Sequence, residues 1–311
     1  MPEIISEKHS AIRVFTVAVL LATFRPNLDF LDEQIKSIVG QVGVRVKLYW
    51  SDDSGSPQEY GIVRDFMDKY DHLDVTAISQ NRGANLNFLH LLEAADSPEI
   101  DFYAFSDQDD IWESDKLIRH VTALSKFDTR IACTHSTSRL QINGKQMAGQ
   151  NRCQNHELRT LLSENCFQGC TMMINRLTRK LILGLPTEGI TWYDWWIGSI
   201  VSIAGTTIFI EGTDTNYRLH DGNLVGIPKG VARIKRLINK GSRDRLSQSI
   251  NLQNFSQTHG HLQAANEIQN WIKGHTDKFA SRLLFALTDK RRRKRMLEDL
   301  TRRLLSIRGL N

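Results

Sequence analysis

Three carboxylates within four residues, Asp107, Asp109 and Asp110, follow a run of apolar and aromatic residues. The run Phe102–Ser106 predicts a strand buried on both faces, which places the carboxylates at its C-terminal end. Ligands of open α/β sheets bind at such ends. Because adjacent carboxylates repel one another, a divalent cation would stabilise them, and the Asp-x-Asp spacing indicates a clamp for a metal ion and a diphosphate. The alternative is a solvated acidic turn that caps a helix starting near Ser114.

A second candidate is Asp194, which lies among Trp192, Tyr193, Trp195 and Trp196 at the start of a predicted helix. The aromatic neighbours would partly desolvate the carboxylate and raise its pKa toward the working range of a general base. The same rings suit stacking on the face of a sugar. The alternative is that Asp194 caps the helix.

Alternating strands and helices must position these groups. The first part of the chain predicts, in order, strand 14–22, helix 28–39, strand 44–50, a helix ending near 70, strand 74–78, a helix ending near 95 and strand 102–106. This rhythm is typical of βαβ units and indicates an α/β fold with a mostly parallel sheet flanked by helices.

The predicted strands end in loops with polar side chains, and a parallel sheet brings such loops to one crevice. The four loops are Thr23 to Asn27, Asp52-Asp53, Asn81-Arg82-Gly83 and Asp107 to Asp110. The sequence has neither G-x-G-x-x-G after the first strand nor G-x-x-x-x-G-K-[ST] anywhere, so neither a dinucleotide-binding fold nor a P-loop is supported. A nucleotide held by carboxylates and a metal ion remains as the interpretation.

The next part of the chain is less regular. It predicts a helix over 114–126, strands over 131–134, 139–142 and 166–174, a helix over 192–204, and strands over 206–210 and 216–219. Gly169 lies inside one of these predicted strands, which indicates a close approach of backbone or ligand.

Charge is distributed unevenly along the 311 residues. Residues 229–311 hold 19 Lys and Arg against 6 Asp and Glu, a net charge of +13, whereas residues 1–228 carry −8. After Pro228 the composition shifts to polar and basic helical sequence. We therefore expect an α/β domain over residues 1–228 and a basic helical extension over residues 229–311.

The extension contains an amphipathic pattern around six basic residues, 290–295. Its apolar residues at helical spacing are Leu283, Leu284, Leu287, Leu297, Leu300, Leu304 and Ile307. Such a segment can bind the headgroups of an anionic membrane. The alternative is that it packs on the domain formed by residues 1–228 or on a second subunit of a homo-oligomer.

The four cysteines, Cys133, Cys153, Cys166 and Cys170, are too few for a disulfide scaffold in a chain of this size. We interpret them as core thiols in a reducing cytoplasm. The alternative is a zinc site in which His156 joins the last three, but their spacing is irregular.

No targeting segment is evident in the sequence. The apolar run 14–24 is about half the length needed to span a bilayer, and it follows an acidic rather than a basic start. We expect a cytoplasmic protein, and the basic extension would allow peripheral contact with the inner face of the cell membrane.

The acidic motif also carries a family resemblance. The string Phe105-Ser106-Asp107-Gln108-Asp109-Asp110-Ile111-Trp112, followed by Lys116, resembles the nucleotide-sugar motif of family 2 glycosyltransferases, most closely bacterial polysaccharide rhamnosyltransferases. The resemblance covers about residues 14–227. Further motifs in family order are the strand 17–23, Asp52-Asp53-Ser54-Gly55, Asn81-Arg82-Gly83 with Asn87, Gln168-Gly169-Cys170-Thr171, Asp194-Trp195-Trp196, and Tyr217-Arg218-Leu219-His220 with Asn223 and Gly226.

This resemblance implies a GT-A fold and an inverting transfer of a sugar from a nucleoside diphosphate. Asp194 is implied as the catalytic base that takes the proton of an acceptor hydroxyl. Asp109, with His220 as a further ligand, is implied to hold Mg²⁺ or Mn²⁺ on the diphosphate. A loop histidine with a structural role is the alternative for His220.

The remaining implied contacts divide between nucleotide and sugar. The nucleotide would be bound by Thr23, Asp53, Arg82 and Asp107, with Asp53 accepting from the base N3–H and Asp107 contacting the ribose or the sugar. The sugar and acceptor would face Gly169, Cys170, Trp195 and Trp196. Tyr193 departs from the family pattern, which often has His or another acid before the base.

The expected reaction uses dTDP-rhamnose or a UDP-hexose and a glycan or lipid-linked acceptor in bacterial surface polysaccharide synthesis. The alternative is a catalytically silent protein of the same fold that binds a nucleotide sugar or a glycan. The presence of Asp107, Asp109 and Asp194 together argues against this alternative, because a binding module needs no base. Nucleic-acid binding by the extension is disfavoured, because few aromatic residues interleave with its basic residues.

Overall fold

A computed structural model describes residues 13–70, 75–79, 83–142, 145–149, 154, 156–190, 192–219 and 246–276. Two residues with predicted roles, Arg82 and His220, lie outside these ranges. The apolar pattern of residues 283–307 also lies outside them.

The described strands form one nine-stranded sheet. They are β1 (Phe15–Thr23), β2 (Val44–Asp52), β3 (Val75–Ser79), β4 (Phe102–Ser106), β5 (Ile111–Trp112), β6 (Ala132–Ile142), β7 (Lys145–Gly149), β8 (Met172–Asn175) and β9 (Thr206–Leu219). Their order is β3-β2-β1-β4-β8-β6-β9-β5, and β7 pairs with β6. Neighbours within β1 to β4 pair in parallel, whereas β8 runs antiparallel to β4. The predicted parallel half of the sheet is confirmed.

Helices cover both faces of the sheet. They are α1 (Leu28–Val39), α2 (Pro57–Met67), α3 (Ala84–Ala94), α4 (Lys116–Leu124), α5 (Leu158–Ser163), α6 (Arg176–Leu183), α7 (Tyr193–Ala204), α8 (246–258) and α9 (Leu262–Thr276). Local capping fixes two of the starts. The Asn27 side chain accepts from two backbone N–H groups of α1, and Ser56 accepts from Glu59 N–H with Pro57 as the first residue of α2.

The central strand β1 is buried on both faces, because its successive side chains point to opposite sides of the sheet. Ala18 and Leu20 belong to an apolar cluster formed with α3 and α7. Val17, Val19 and Leu21 belong to a second cluster formed with α1, α2 and α4. The continuous apolar run in the sequence reflects this double burial.

Several predictions in the less regular part need correction. The segments 131–134 and 139–142 form one strand, β6, and 206–210 and 216–219 form one strand, β9, because these two strands pair along most of their length. The strand predicted over 166–174 is wrong in its first part, since Gly169–Thr171 is a 3₁₀ turn and β8 begins at Met172. The short elements β5, β7, α5 and α6 were not predicted.

Helices α8 and α9 come from the predicted extension, and both contribute to the core of the preceding residues. Leu252 and Phe255 of α8 and Ile268 and Trp271 of α9 share an apolar cluster with α5 and α7. The proposed boundary at 228 lies outside the described residues and remains a prediction. None of the described helices has the length and apolar character needed to cross a membrane.

The interpretation of the cysteines is confirmed for two residues and wrong for one. Cys133 and Cys170 are buried free thiols. Cys166 is disulfide-bonded. Because its sulfur is used in this way, Cys166 is not a thiolate ligand of the alternative zinc site. Cys153 lies outside the described residues.

Candidate active site

Three parallel strands end side by side at one edge of the sheet. Thr23 at the end of β1 lies opposite Asp52 at the end of β2, and Leu21 lies opposite Ser106 at the end of β4. The loops that follow these strands therefore meet in the crevice where ligands of such sheets bind.

Hydrogen bonds hold the first two loops together. Thr23 Oγ1 donates to Asp52 Oδ2 over 2.6 Å. Asp53 N–H donates to the Thr23 carbonyl over 2.8 Å, and Asp53 Oδ1 accepts from Gly83 N–H at 3.1 Å, just before α3. Two of the predicted nucleotide residues, Thr23 and Asp53, are thus neighbours.

The acidic group after β4 is crowded and mostly buried. Ligand atoms of Asp107, Asp110 and Cys170 all lie within 4.8 Å of one another. Asp110 is 0% exposed, and in the described part of the chain its carboxylate interacts with the Cys170 thiol but with no N–H or O–H donor. Burial and the charges of Asp109 and Asp194 raise the pKa of Asp107 to about 7, and burial with Asp107 and Asp109 raises the pKa of Asp110 well above its ordinary value.

These residues fit a divalent cation. Carboxylate oxygens are the ligands that hard divalent cations prefer, and those of Asp110 have no N–H or O–H donor among the described residues. A cation would also offset the carboxylate repulsion that, after burial, raises both pKa values. Asp109, the ligand predicted from the sequence, adjoins this group and is itself buried.

Asp194 is the second residue of α7, and its charge reaches the acidic group. Its Oδ1 accepts from Asn165 Nδ2 at 3.0 Å and from Trp195 N–H at 2.7 Å, and its Oδ2 accepts from Gly169 N–H at 3.2 Å. The N-cap of α7 is Trp192. Asp194 therefore does not occupy the N-cap position, although its side chain accepts from one backbone N–H of the first turn of α7.

Gly169 approaches Tyr193 closely. A Cβ built at residue 169 would lie 1.8 Å from Tyr193 Oη, so a side chain at this position would require Tyr193 to move. The Tyr193 ring stacks on Phe88, with centroids 4.2 Å apart, and lies 5.1 Å from the ring of Phe105. The group that closely approaches Gly169 is therefore the Tyr193 side chain of the protein itself. Burial raises the pKa of Tyr193 well above its ordinary value, so its phenol stays neutral.

Trp195 and Trp196 are turned into the protein. Trp195 is 6% exposed and donates its Nε1 to the Leu161 carbonyl over 2.6 Å, and Trp196 is 2% exposed within the apolar core. This burial does not favour stacking of either ring on a sugar. Trp192 is 39% exposed and has the more accessible ring.

Lys116 is a buried charge to which sequence reasoning gave no role. Its Nζ donates to the Cys170 carbonyl and to Thr215 Oγ1 (2.7 Å), and lies 3.9 Å from Asp214 Oδ1. Asp214 Oδ2 lies 2.8 Å from His120 Nε2. Burial opposes ionisation of Asp214, but Lys116 and His120 outweigh it and hold the pKa of Asp214 well below its ordinary value. No local sequence pattern connects these residues.

The fold is shared with solved structures. Mannosyltransferase PcManGT from Pyrobaculum calidifontis, in complex with GDP-Man and Mn²⁺, matches with a TM-score of 0.54 at 14% identity, covering 91% of this chain and 83% of that one. TarS 1–349 from S. aureus, in complex with UDP, matches with a TM-score of 0.52 at 14% identity, covering 76% of this chain and 66% of that one. The fold is therefore of the GT-A type found in glycosyltransferases.

The sequence gives the family. The family model described as Glycosyl transferase family 2 matches residues 19–180, and this chain belongs to that family. It is 27% identical over 218 residues to dTDP-rhamnosyl transferase RfbG of Shigella flexneri, a match that covers 67% of this chain and 75% of the relative. The family recognised in the sequence is confirmed, and the protein is a glycosyltransferase.

Proposed function

We propose that this glycosyltransferase is inverting and cation-dependent, and that it moves a sugar from a nucleoside diphosphate to a hydroxyl of a glycan or lipid-linked acceptor. The observation that carries the proposal is the placement of Asp194. Its carboxylate accepts hydrogen bonds from Asn165 and from the N–H of Gly169, and it lies close enough to Asp107 for its charge to raise the pKa of that carboxyl. A carboxylate in a fixed orientation beside the donor site suits a general base.

In this proposal Asp194 takes the proton of the acceptor hydroxyl while that oxygen attacks the anomeric carbon. Attack from the face opposite the departing diphosphate inverts the anomeric configuration. The hydrogen bonds from Asn165 and Gly169 fix the direction of the carboxylate, and base catalysis depends on such orientation. The neutral phenol of Tyr193 would not compete as a base.

Asp109 is the proposed ligand of Mg²⁺ or Mn²⁺, with His220, outside the described residues, as a second. When bound, the ion would offset the charge that develops on the leaving diphosphate. Asp107 is proposed to contact the ribose or the sugar. The Mn²⁺ in the PcManGT structure supports a divalent ion in this fold.

For the donor we propose dTDP-rhamnose first and a UDP-hexose second. The rhamnosyl transferase among the relatives supports the former. Thymine and uracil both carry an N3–H, which Asp53 is proposed to accept, and Thr23 and Arg82 are proposed to help fix the nucleotide. Gly169 and Cys170 are proposed to face the sugar.

A lipid-linked acceptor would also explain the positive charge of the C-terminal extension. An acceptor on a lipid carrier would bring the enzyme to an anionic membrane, and residues 283–307 are proposed to bind that surface. Packing of this segment on a second subunit is the competing proposal.

A donor panel tests the proposed function. Thermal melting is measured with dTDP-rhamnose, UDP-glucose, UDP-galactose and GDP-mannose, each with and without Mn²⁺, and release of nucleoside diphosphate is then measured with candidate acceptors. We expect the largest Mn²⁺-dependent shift with dTDP-rhamnose and release of dTDP that depends on the acceptor. Binding without turnover on any acceptor would favour the silent binding protein. No stabilisation by any donor would contradict both proposals.

A further inference from the structure

Within the proposed donor site, two carboxylates and a thiol lie close together. The carboxylates of Asp107 and Asp110 and the Cys170 sulfur place ligand atoms within 4.8 Å of one another. Cys170 is a buried free thiol, and Asp110 is fully buried; within the described ranges its carboxylate interacts with the Cys170 thiol but with no N–H or O–H donor. A buried carboxylate without donors is costly unless a positive charge comes close to it.

The neighbouring ammonium does not neutralise this group. Lys116 Nζ bonds the Cys170 carbonyl, but it also lies 3.9 Å from Asp214. Its single charge therefore acts on Asp107, Asp110 and Asp214 together. A bound cation would supply the further positive charge that allows both carboxyl groups to ionise.

We propose that Asp107, Asp110 and Cys170 form a binding site for a thiophilic divalent cation such as Zn²⁺, Co²⁺ or Cd²⁺. Zinc takes thiolate sulfur at about 2.3 Å and carboxylate oxygen at about 2.0–2.2 Å in tetrahedral sites, which puts ligand atoms about 3.5 Å apart. The three ligand atoms, now within 4.8 Å of one another, would have to move closer together to bind one ion. On binding, a sulfur–metal bond forms and the thiol proton passes to solvent.

The sulfur ligand separates this site from a magnesium site. Mg²⁺ prefers oxygen ligands, whereas softer ions gain from a thiolate. Asp107 is only half-buried, so the group opens toward the crevice and leaves room for a fourth ligand such as water. This site uses neither Asp109 nor Asp194, but it shares Asp107 and Cys170 with the proposed donor site, so its metal affinity is measured without a donor.

Metal titration of the metal-free full chain tests the site. Co²⁺ and Cd²⁺ are added, and sulfur-to-metal charge-transfer absorption is followed in the ultraviolet. We expect one ion per chain, loss of the band in Cys170→Ser, and affinity at least tenfold lower in Asp110→Asn. Cys133→Ser is the matched control, because Cys133 is the other buried free thiol among the described residues, and it should keep the band.

Asp109→Asn separates this site from the proposed donor metal. That variant should keep the charge-transfer band, whether or not it has lost Mn²⁺-dependent nucleotide binding. X-ray absorption of the wild type with one equivalent of Zn²⁺ needs no substitution and should show one sulfur neighbour with oxygen ligands. The proposal would be overturned if bound zinc had no sulfur neighbour, or if the charge-transfer band persisted in Cys170→Ser.

Discussion

Gly169 donates its backbone N–H to Asp194 Oδ2 over 3.2 Å and so joins the turn before β8 to the first turn of α7. The same turn is held from its other side by Lys116, whose ammonium bonds the Cys170 carbonyl. The turn at Gly169 therefore orients Asp194, the proposed base, and the buried Lys116 ammonium holds that turn in place. A substitution at Gly169 or at Lys116 should therefore disturb the orientation of the Asp194 carboxylate.

Gly169→Ala should lower turnover by about 10²-fold, because a misplacement of about 1 Å near the reacting atoms has that effect. The added Cβ would lie 1.8 Å from Tyr193 Oη, so the turn or Tyr193 must move. The measurement is kcat with saturating donor and acceptor. Adding Tyr193→Phe removes the nearest atom and should recover part of the loss.

Gly61→Ala is the matched control for this prediction. A Cβ at Gly61 meets nothing within 4 Å, and the residue lies inside α2. We expect unchanged kcat and a gain of about 0.5–1 kcal/mol in the free energy of unfolding. Wild-type turnover in Gly169→Ala would show that the turn does not position Asp194.

Asp194→Asn should retain the fold and donor binding but lower transfer by about 10²-fold or more, the usual effect of losing a general base. The amide has the shape of the carboxylate but cannot take the acceptor proton. Donor affinity is measured by calorimetry and transfer by single-turnover kinetics. Transfer at the wild-type rate would mean that another carboxylate is the base.

Asp109→Asn should abolish metal-dependent nucleotide binding, because an amide does not replace a charged ligand of a hard cation. Calorimetry with dTDP or UDP, with and without Mn²⁺, measures the change. Asp128→Asn, an exposed carboxylate, is the control and should bind as the wild type does. Unchanged affinity in Asp109→Asn would refute its assignment as the metal ligand.

Lys116→Met should lower the free energy of unfolding by about 3–5 kcal/mol, because it leaves Asp214 buried without its ammonium partner. The double variant with Asp214→Asn should lose less than the two single variants added together. Urea unfolding measures each value, with the exposed Lys126→Met as a control expected to change stability by less than about 0.5 kcal/mol. Strict additivity would contradict the pairing.

Asp214 should also affect how the free energy of unfolding depends on pH in acid. Its pKa in the folded protein lies below the ordinary value of about 3.9, so its contribution is present above about pH 4 and is lost as the pH falls toward the folded value. Asp214→Asn removes this contribution. The free energy of unfolding between pH 6 and pH 3 should therefore fall more steeply below pH 4 in the wild type than in the variant. Equal slopes would contradict this assignment.

The full chain should co-sediment with anionic liposomes at low salt and be released as ionic strength rises, because screening weakens the attraction of basic residues to lipid headgroups. A chain that ends at residue 276, after α9, should remain in the supernatant. Both sedimenting equally, or neither binding, would remove the membrane proposal and favour packing of residues 283–307 on protein.

Local sequence determined the parallel half of the fold. Helix α1 begins and ends as predicted, because Asn27 is a strong cap followed by apolar residues at helical spacing, and β4 was predicted with the same bounds, because a short apolar run ends at Asp107. The same run and its acidic end carried the family resemblance. The cap, the apolar spacing and the acidic motif each involve residues close together in the chain, so they can be recognised from the sequence without the tertiary structure.

Tertiary structure decided the features that join residues distant in the chain. Strands β6 and β9 are continuous because the backbone groups of each pair with those of the other. This pairing cannot be predicted from a local sequence pattern. Lys116 meets Asp214, and Asp110 meets Cys170, only after the sheet has formed. The aromatic residues beside Asp194 show the same limit, since their spacing is equally compatible with a sugar platform or a core, and packing against α5 buries Trp195.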